Sequence, residues 1–405
     1  GYISSTAARI ENCTNVGSIY SSAETGKVKG WYVGGIAGGC EGAFENCSNS
    51  GTVSGDQFVG GVAGSAGSVS GCTNTADIFA ISGGIGGIGG SIRLTANDCA
   101  NYGVITVSGV LKNSRYSSTD IGGIAGSNML GGLHFTNLTN YGRIQYSAFG
   151  NVSTSWVGGI IGKPSSRTVI SNCTNHGDIS ACGNGVGGIA GGSVGSSVTV
   201  TRCANHGNVI NDTVNAIGTG GIASSATVDQ CYNTGDVKGF DGVGGILGLG
   251  RRGTTSKLVC NISASYNLGK VVGNNFVGGV AGGAAKLTDC YNVGSVSAGS
   301  TDAGPLVGSA YEVENSYYLN TLTLYSKAGT PLDAATMRSC MLGAEHFLLN
   351  FSMEYHGGYP YLDFEGVQNT AVADVVRLPD HVSANYSAVL GNEPEGLPAS
   401  VLVTA

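Results

Sequence analysis

Charged residues are scarce in this chain, at 11% of 405 positions, and no run of Lys or Arg is long enough to follow a phosphate backbone. The net charge of -7 is spread thinly, so no nucleic-acid partner is expected. Proline is rare, with 7 residues, and glycine does not recur at every third position, which together exclude collagen. No stretch of eighteen or more apolar residues occurs, so no transmembrane segment is expected. The chain starts at Gly1 with neither Met nor a charged, apolar leader, and reads as a soluble, mature or excised fragment. Disorder is disfavoured by 41% hydrophobic residues and a mean hydropathy of +0.13.

What the chain has in excess is glycine, 71 residues, arranged in a repeat. The unit is Cys-x-Asn-x-Gly-x-(Val/Ile), a variable gap, a Val-Gly-Gly-(Ile/Val)-Ala-Gly box, and then the next Cys. The Cys position is held by Cys13, Cys47, Cys72, Cys99, Leu138, Cys173, Cys203, Cys231, Ser265 and Cys290, with a degenerate eleventh start at Ser316. Spacings of 25 to 39 residues suit one solenoid coil each. The expected fold is therefore all-β: a parallel β-helix, or β-solenoid, of about ten coils with a short mixed C-terminal cap.

Asn15, Asn49, Asn74, Asn101, Asn140, Asn175, Asn205, Asn233, Asn267 and Asn292 occupy one repeat position without exception. In coils about 4.8 Å apart, an amide can donate to one neighbour and accept from the other, which predicts a structural ladder that fixes the register. The glycine two places later, Gly17 through Gly294 with only Ala76 breaking the series, is expected at a corner of positive φ. The Cys position should face inward as buried free thiols. Disulfides between coils are the rival, disfavoured because parallel Cβ vectors about 4.8 Å apart exceed the preferred separation of about 3.8 Å. No Cys-x-x-Cys pair exists to suggest zinc, and no metal or other cofactor is expected. In the box, strict alternation puts Val59 and Val62 on opposite faces, and a glycine bulge that turns both inward is the expected solution.

Boxes such as Val33-Gly34-Gly35-Ile36-Ala37-Gly38 and Val277-Gly278-Gly279-Val280-Ala281-Gly282 resemble the GLUG-motif repeats of bacterial surface proteins, over roughly residues 1 to 365. Asn315-Ser316-Tyr317-Tyr318 and Gly358-Tyr359-Pro360-Tyr361-Leu362 look like the end of such arrays. The resemblance implies a secreted or wall-attached location, company with adhesin or surface-protease modules, and no catalytic residue.

Three parts are expected: a solenoid over 1–310, a capping segment over 311–365, and a linker or the start of another module over 366–405. Pro331 to Leu348 reads as an amphipathic helix with Thr330 as N-cap, closing the open end of the array.

Candidate sites are few. Tyr232, Tyr266, Tyr291 and Tyr317 follow the Cys position in successive coils and are expected to face outward, as flat surfaces for sugar rings or a partner protein, or else to lie beneath the C-terminal segment. Two adjacent insertions, Val107 to Asp120 and Gln145 to Trp156, carry Lys112, Arg115, Tyr116, Tyr146, Phe149 and Trp156, a mixture suited to recognition. A further insertion holds Arg251 and Arg252. His176 and His206 occupy equivalent sites beside Asp178, Asn208 and Asp236. Asp178 and Asp236 would stand about 9.6 Å apart, a spacing inverting glycosidases use, but a solvated polar stripe is the plainer reading, since Tyr102 and Tyr141 fill the same slot.

The leading expectation is a non-catalytic surface scaffold or adhesin segment that binds a host or environmental glycan or a surface protein. A polysaccharide lyase or hydrolase of the β-helix type is the alternative, set against only 26 scattered acidic residues. An inert spacer about 48 Å long is the third.

Overall fold

A computed structural model describes residues 2–21, 31–108, 118–147, 155–192, 197–250, 257–324, 328–339, 345–350 and 352–365. Each coil carries four or five short strand segments, and like segments from successive coils pair in parallel, giving four sheets of 16, 12, 10 and 10 strands. One coil runs Thr174–Asn175, Ile179–Ala181, Gly185–Gly187 and then Thr199–Thr201. The chain is thus the expected parallel β-helix. The coil pattern continues past residue 310, for Val307–Glu314 and Tyr317–Leu319 pair as coil strands and Thr330–Leu332 adds one more.

The asparagines stand in register, Asn74 opposite Asn101 and Asn140 opposite Asn175. Each Nδ2 donates to Oδ1 of the next coil's Asn at 2.7 to 2.9 Å and to its own coil's carbonyl two residues on, as Asn175 does with Asn205 and Gly177. The column ends where Asn292 donates to the Pro305 carbonyl. From Asn74 onward every ladder Asn is fully buried, so each amide must find partners within the fold, and the ladder supplies them.

The ladder explains the box. A Cβ on the second glycine of the pair would collide with a ladder amide: Gly61 with Asn74, Gly123 with Asn140, Gly159 with Asn175, Gly221 with Asn233. The box is a corner rather than the expected bulge. It separates two strands that belong to different sheets, so Val59 and Val62 are both buried but in different apolar clusters. One cluster holds Val62, Ile88, Ile124, Ile160 and the Cys column, the other Val59, Ile85, Ile121, Val157 and Ile179. The amides run between them.

The positive φ expected at the Gly17 series lies elsewhere. It falls one residue before the Cys position, at Asn12, Asn46, Gly71, Asp98, Asn137, Asn172, Arg202, Gln230, Ala264, Asp289 and Asn315, with φ from 42° to 62°. Asn and Asp dominate because they tolerate this region better than other L-residues. From Gly51 on, the glycines of this series are glycine for want of room. A Cβ on Gly142 or Gly177 would meet the carbonyl of the equivalent glycine one coil back.

The cysteines of the repeat are free thiols, and they do more than fill space. Cys203 Sγ accepts from the Cys173 N–H at 3.4 Å and donates to the Thr201 carbonyl at 3.2 Å. Ser265, where the repeat lacks Cys, does the same with Cys231 N–H at 3.0 Å and the Ser263 carbonyl at 2.7 Å.

The helix expected at Pro331 to Leu348 forms over only part of that range among the described residues. Thr330–Leu332 is a strand beside Tyr317–Leu319, and a short helix, Ala334–Ser339, follows, with Asp333 accepting from the Thr336 N–H at 2.9 Å at its start. The pull of an open sheet edge outweighs the helical periodicity of the first three residues. Phe347–Leu348 and Tyr361–Leu362 then form an antiparallel pair that lies along the flank of the last coils rather than over their end.

Candidate functional site

Tyr232, Tyr266, Tyr291 and Tyr317 lie beneath the C-terminal segment, the second of the two expected arrangements, and so are not open to a ligand. Tyr266 and Tyr291 are fully buried and Tyr232 nearly so, packed against Met337, Phe347, Tyr359 and Leu362 of the C-terminal segment, with Tyr317 partly buried at the edge. Tyr266 Oη donates to the Glu365 carboxylate at 2.8 Å and lies 2.9 Å from His356 Nδ1, and Tyr291 Oη donates to the Pro360 carbonyl. These rings dock the chain's own terminus, and burial pushes the Tyr232, Tyr266 and Tyr291 hydroxyls well above their ordinary pKa.

The solvent-facing aromatic row lies a few coils earlier, on Tyr102, Tyr141, His176 and His206, each directly after a ladder Asn. Ring centroids are 4.7, 4.7 and 4.9 Å apart and the planes agree within 13°. Tyr102 is 50% exposed and Tyr141 46%; His176 is exposed and His206 half-buried. Since neighbouring rings cover one another's faces along the coil axis, the row turns ring edges outward, not flat faces. Burial lowers the His176 pKa, and burial with the neighbouring His176 lowers that of His206 to about 4, so both are neutral near pH 7.

The carboxylates beside this row do structural work. Asp178 accepts from the Asn208 N–H, Asn208 from the Asp236 N–H and Asp236 from the Lys270 N–H, all at 2.9 Å, which spends the constellation on linking coils. Among the described residues no group of three or more His, Cys, Asp or Glu is placed to hold a metal ion, and no helix is long and apolar enough to cross a membrane.

Of the paired insertions, Lys112, Arg115, Tyr116 and Phe149 lie outside the described residues, as do Arg251 and Arg252. Tyr146 is buried, its hydroxyl 3.0 Å from Ser155 Oγ, and so is not offered for recognition. Trp156 is half-buried, its indole laid where side chains on Gly185 and Gly192 would otherwise stand.

Sequence reasoning missed Asp120, noted only as the end of an insertion. It sits on the strand Thr119–Gly122 between Gly84 and Trp156 of the flanking coils, is 7% exposed, and its Oδ1 has no hydrogen-bond partner. Burial raises its pKa to about 7, against the opposing pull of Lys163. No family model, no curated protein and no solved structure matches the chain.

Proposed function

We propose that this chain is a non-catalytic scaffold segment of a bacterial surface protein, and that it binds a glycan chain along the Tyr102, Tyr141, His176 and His206 row. The observation that carries this reading is the constant spacing of four neutral, solvent-facing ring edges on a rigid solenoid. An extended, hydroxyl-rich polymer laid along the coil axis meets hydroxyl and imidazole tips at regular intervals, on rings whose rotamers are already fixed by stacking. Little side-chain freedom is then lost on binding. Thr139 and Thr174, half-buried one residue before the ladder Asn, border the row with further polar contacts.

The GLUG-like repeat supports a secreted or wall-attached setting with other modules nearby. The polar groups beside the row are committed to coil-to-coil hydrogen bonds, which favours binding over polysaccharide cleavage.

The test is a glycan array with the purified chain, run beside an assay for reducing-end or unsaturated-sugar release. Binding without turnover, lost in Tyr141→Ala, is expected. Turnover, or binding indifferent to Tyr141→Ala, would overturn the reading.

A further inference from the structure

On the flank that carries Asp120, the outward positions of the third strand segments hold Phe58, Gly84, Asp120 and Trp156 in successive coils. Gly84 contributes no side chain, and a Cβ there would touch the Phe58 ring. Phe58 and Asp120 line an open recess of about 380 Å³, together with Ser127, Met129, Lys163 and Ser165 among others. Lys163 reaches it from the neighbouring coil, where it pairs with Ser127. Asp120 and Lys163 act on each other electrostatically, yet among the described residues no ion pair joins them.

Asp120 Oδ1 is closed off by the protein, so a ligand in the recess meets the rest of the carboxylate and not that oxygen. The recess limits what such a ligand is. A cationic ligand meets Lys163 and an anionic one meets Asp120, so one acceptor and one donor of opposite charge suit a neutral molecule that carries hydroxyls in pairs. Each hydroxyl both donates and accepts. Serine hydroxyls at Ser127 and Ser165 add polar partners, while Phe58, Met129 and Pro164 offer apolar surface to C–H groups. Such a mixture of an apolar wall and few convergent polar groups is typical of small-ligand sites.

We propose that this recess binds a neutral sugar of one or two rings, with Asp120 accepting from one hydroxyl and Lys163 donating to its neighbour. The site shares no residue with the ring row, so the two succeed or fail separately. The raised pKa of Asp120 adds a signature: as pH falls from 8 to 6 the carboxylate takes up a proton and becomes a poorer acceptor, and binding weakens.

Saturation-transfer NMR on the whole chain, with glucose, galactose, mannose, N-acetylglucosamine and their common disaccharides at millimolar concentration, tests this. At pH 8 at least one sugar is expected to receive magnetisation. Affinity should fall roughly tenfold or more in Asp120→Ala and in Lys163→Ala, as for loss of a charge-assisted hydrogen bond. Asp120→Asn, which keeps the side-chain shape, supplies a second variant should Asp120→Ala fold poorly, and it should lose the dependence on pH. Transfer to no sugar, affinity in the Asp120 and Lys163 variants unchanged from the parent, or binding only of glycine as a zwitterionic probe would each overturn the proposal.

Discussion

Asn175 fills the space that Gly159 leaves open. A Cβ on Gly159 would lie inside the van der Waals radius of the Asn175 amide and against the Gly188 carbonyl. The two strongest marks of the repeat are therefore two sides of one contact, made between consecutive coils and repeated along the solenoid.

Asn175→Ala removes an acceptor for Asn140, a donor to Asn205 and a donor to the Gly177 carbonyl, all buried. A loss of about 3–5 kcal/mol is expected from the stranded groups and the cavity. Asn15→Ala, at the partly exposed start of the column, should lose under about 1 kcal/mol. Urea unfolding of the two variants checks this, and equal shifts would contradict the ladder's role.

The hydrogen bonds of the Cys column predict an asymmetry between two small substitutions. Cys203→Ser should be close to neutral, as Ser265 already shows the hydroxyl at work, whereas Cys203→Ala strands the buried Cys173 N–H and should lose about 1–2 kcal/mol. Burial holds the Cys173 and Cys203 thiols well above their ordinary pKa. Both should resist an aqueous thiol reagent in the folded protein and react once it is unfolded. Labelling followed by peptide mass mapping reads this directly, and rapid native labelling would count against burial.

Asp120 makes stability depend on pH in a fixed direction. Its folded pKa of about 7 exceeds the ordinary 3.8, so the unfolded chain ionises first. The penalty is absent below pH 4, grows between about pH 4 and 7, and is full above 7. Asp120→Asn should thus raise the melting temperature at pH 8 by an amount worth up to about 4 kcal/mol, and leave it unchanged near pH 3.5. His206, held down to about 4, works the other way, withdrawing stability as pH falls below 6.5. The difference between the variant and the parent isolates the Asp120 contribution. A gain that does not vanish in acid would rule it out.

Phe347, fully buried with its ring 5.5 Å from Tyr291 and 6.2 Å from Tyr266, anchors the C-terminal segment. Phe347→Ala should loosen that segment by about 3–5 kcal/mol, while a solenoid built from nearest-neighbour contacts keeps its coils. Limited proteolysis is expected to cut within 345–365 in the variant and to spare the coils. Unaltered protection would show that the anchoring lies elsewhere.

Much of this architecture was legible in the sequence, because the solenoid writes the same contact many times. One Asn per coil could only be a column, and the Cys position with its Ser substitutes could only face inward. Where a contact occurs once, legibility failed. Tyr266 points outward from its coil, and cover by the C-terminal segment was one of the two expectations, but which residues cover it, Phe347 and Glu365, is set in a part of the chain without repeats. The periodicity after Pro331 was real, yet Thr330 to Leu332 had a sheet edge to join, which no local pattern records. The recess at Asp120 joins residues of several coils, which only the stacking brings together.

The amide column also divides the interior lengthwise into two apolar compartments. Val157 and Ile160 are three residues apart in sequence yet sit in different ones, while Val157 and Val186 share one across consecutive coils. Damage should therefore travel along the rod and not across it: paired truncations at Val157 and Ile160 should sum, and paired truncations at Val157 and Val186 should couple. Such a wall lets either side drift in sequence without the other having to follow.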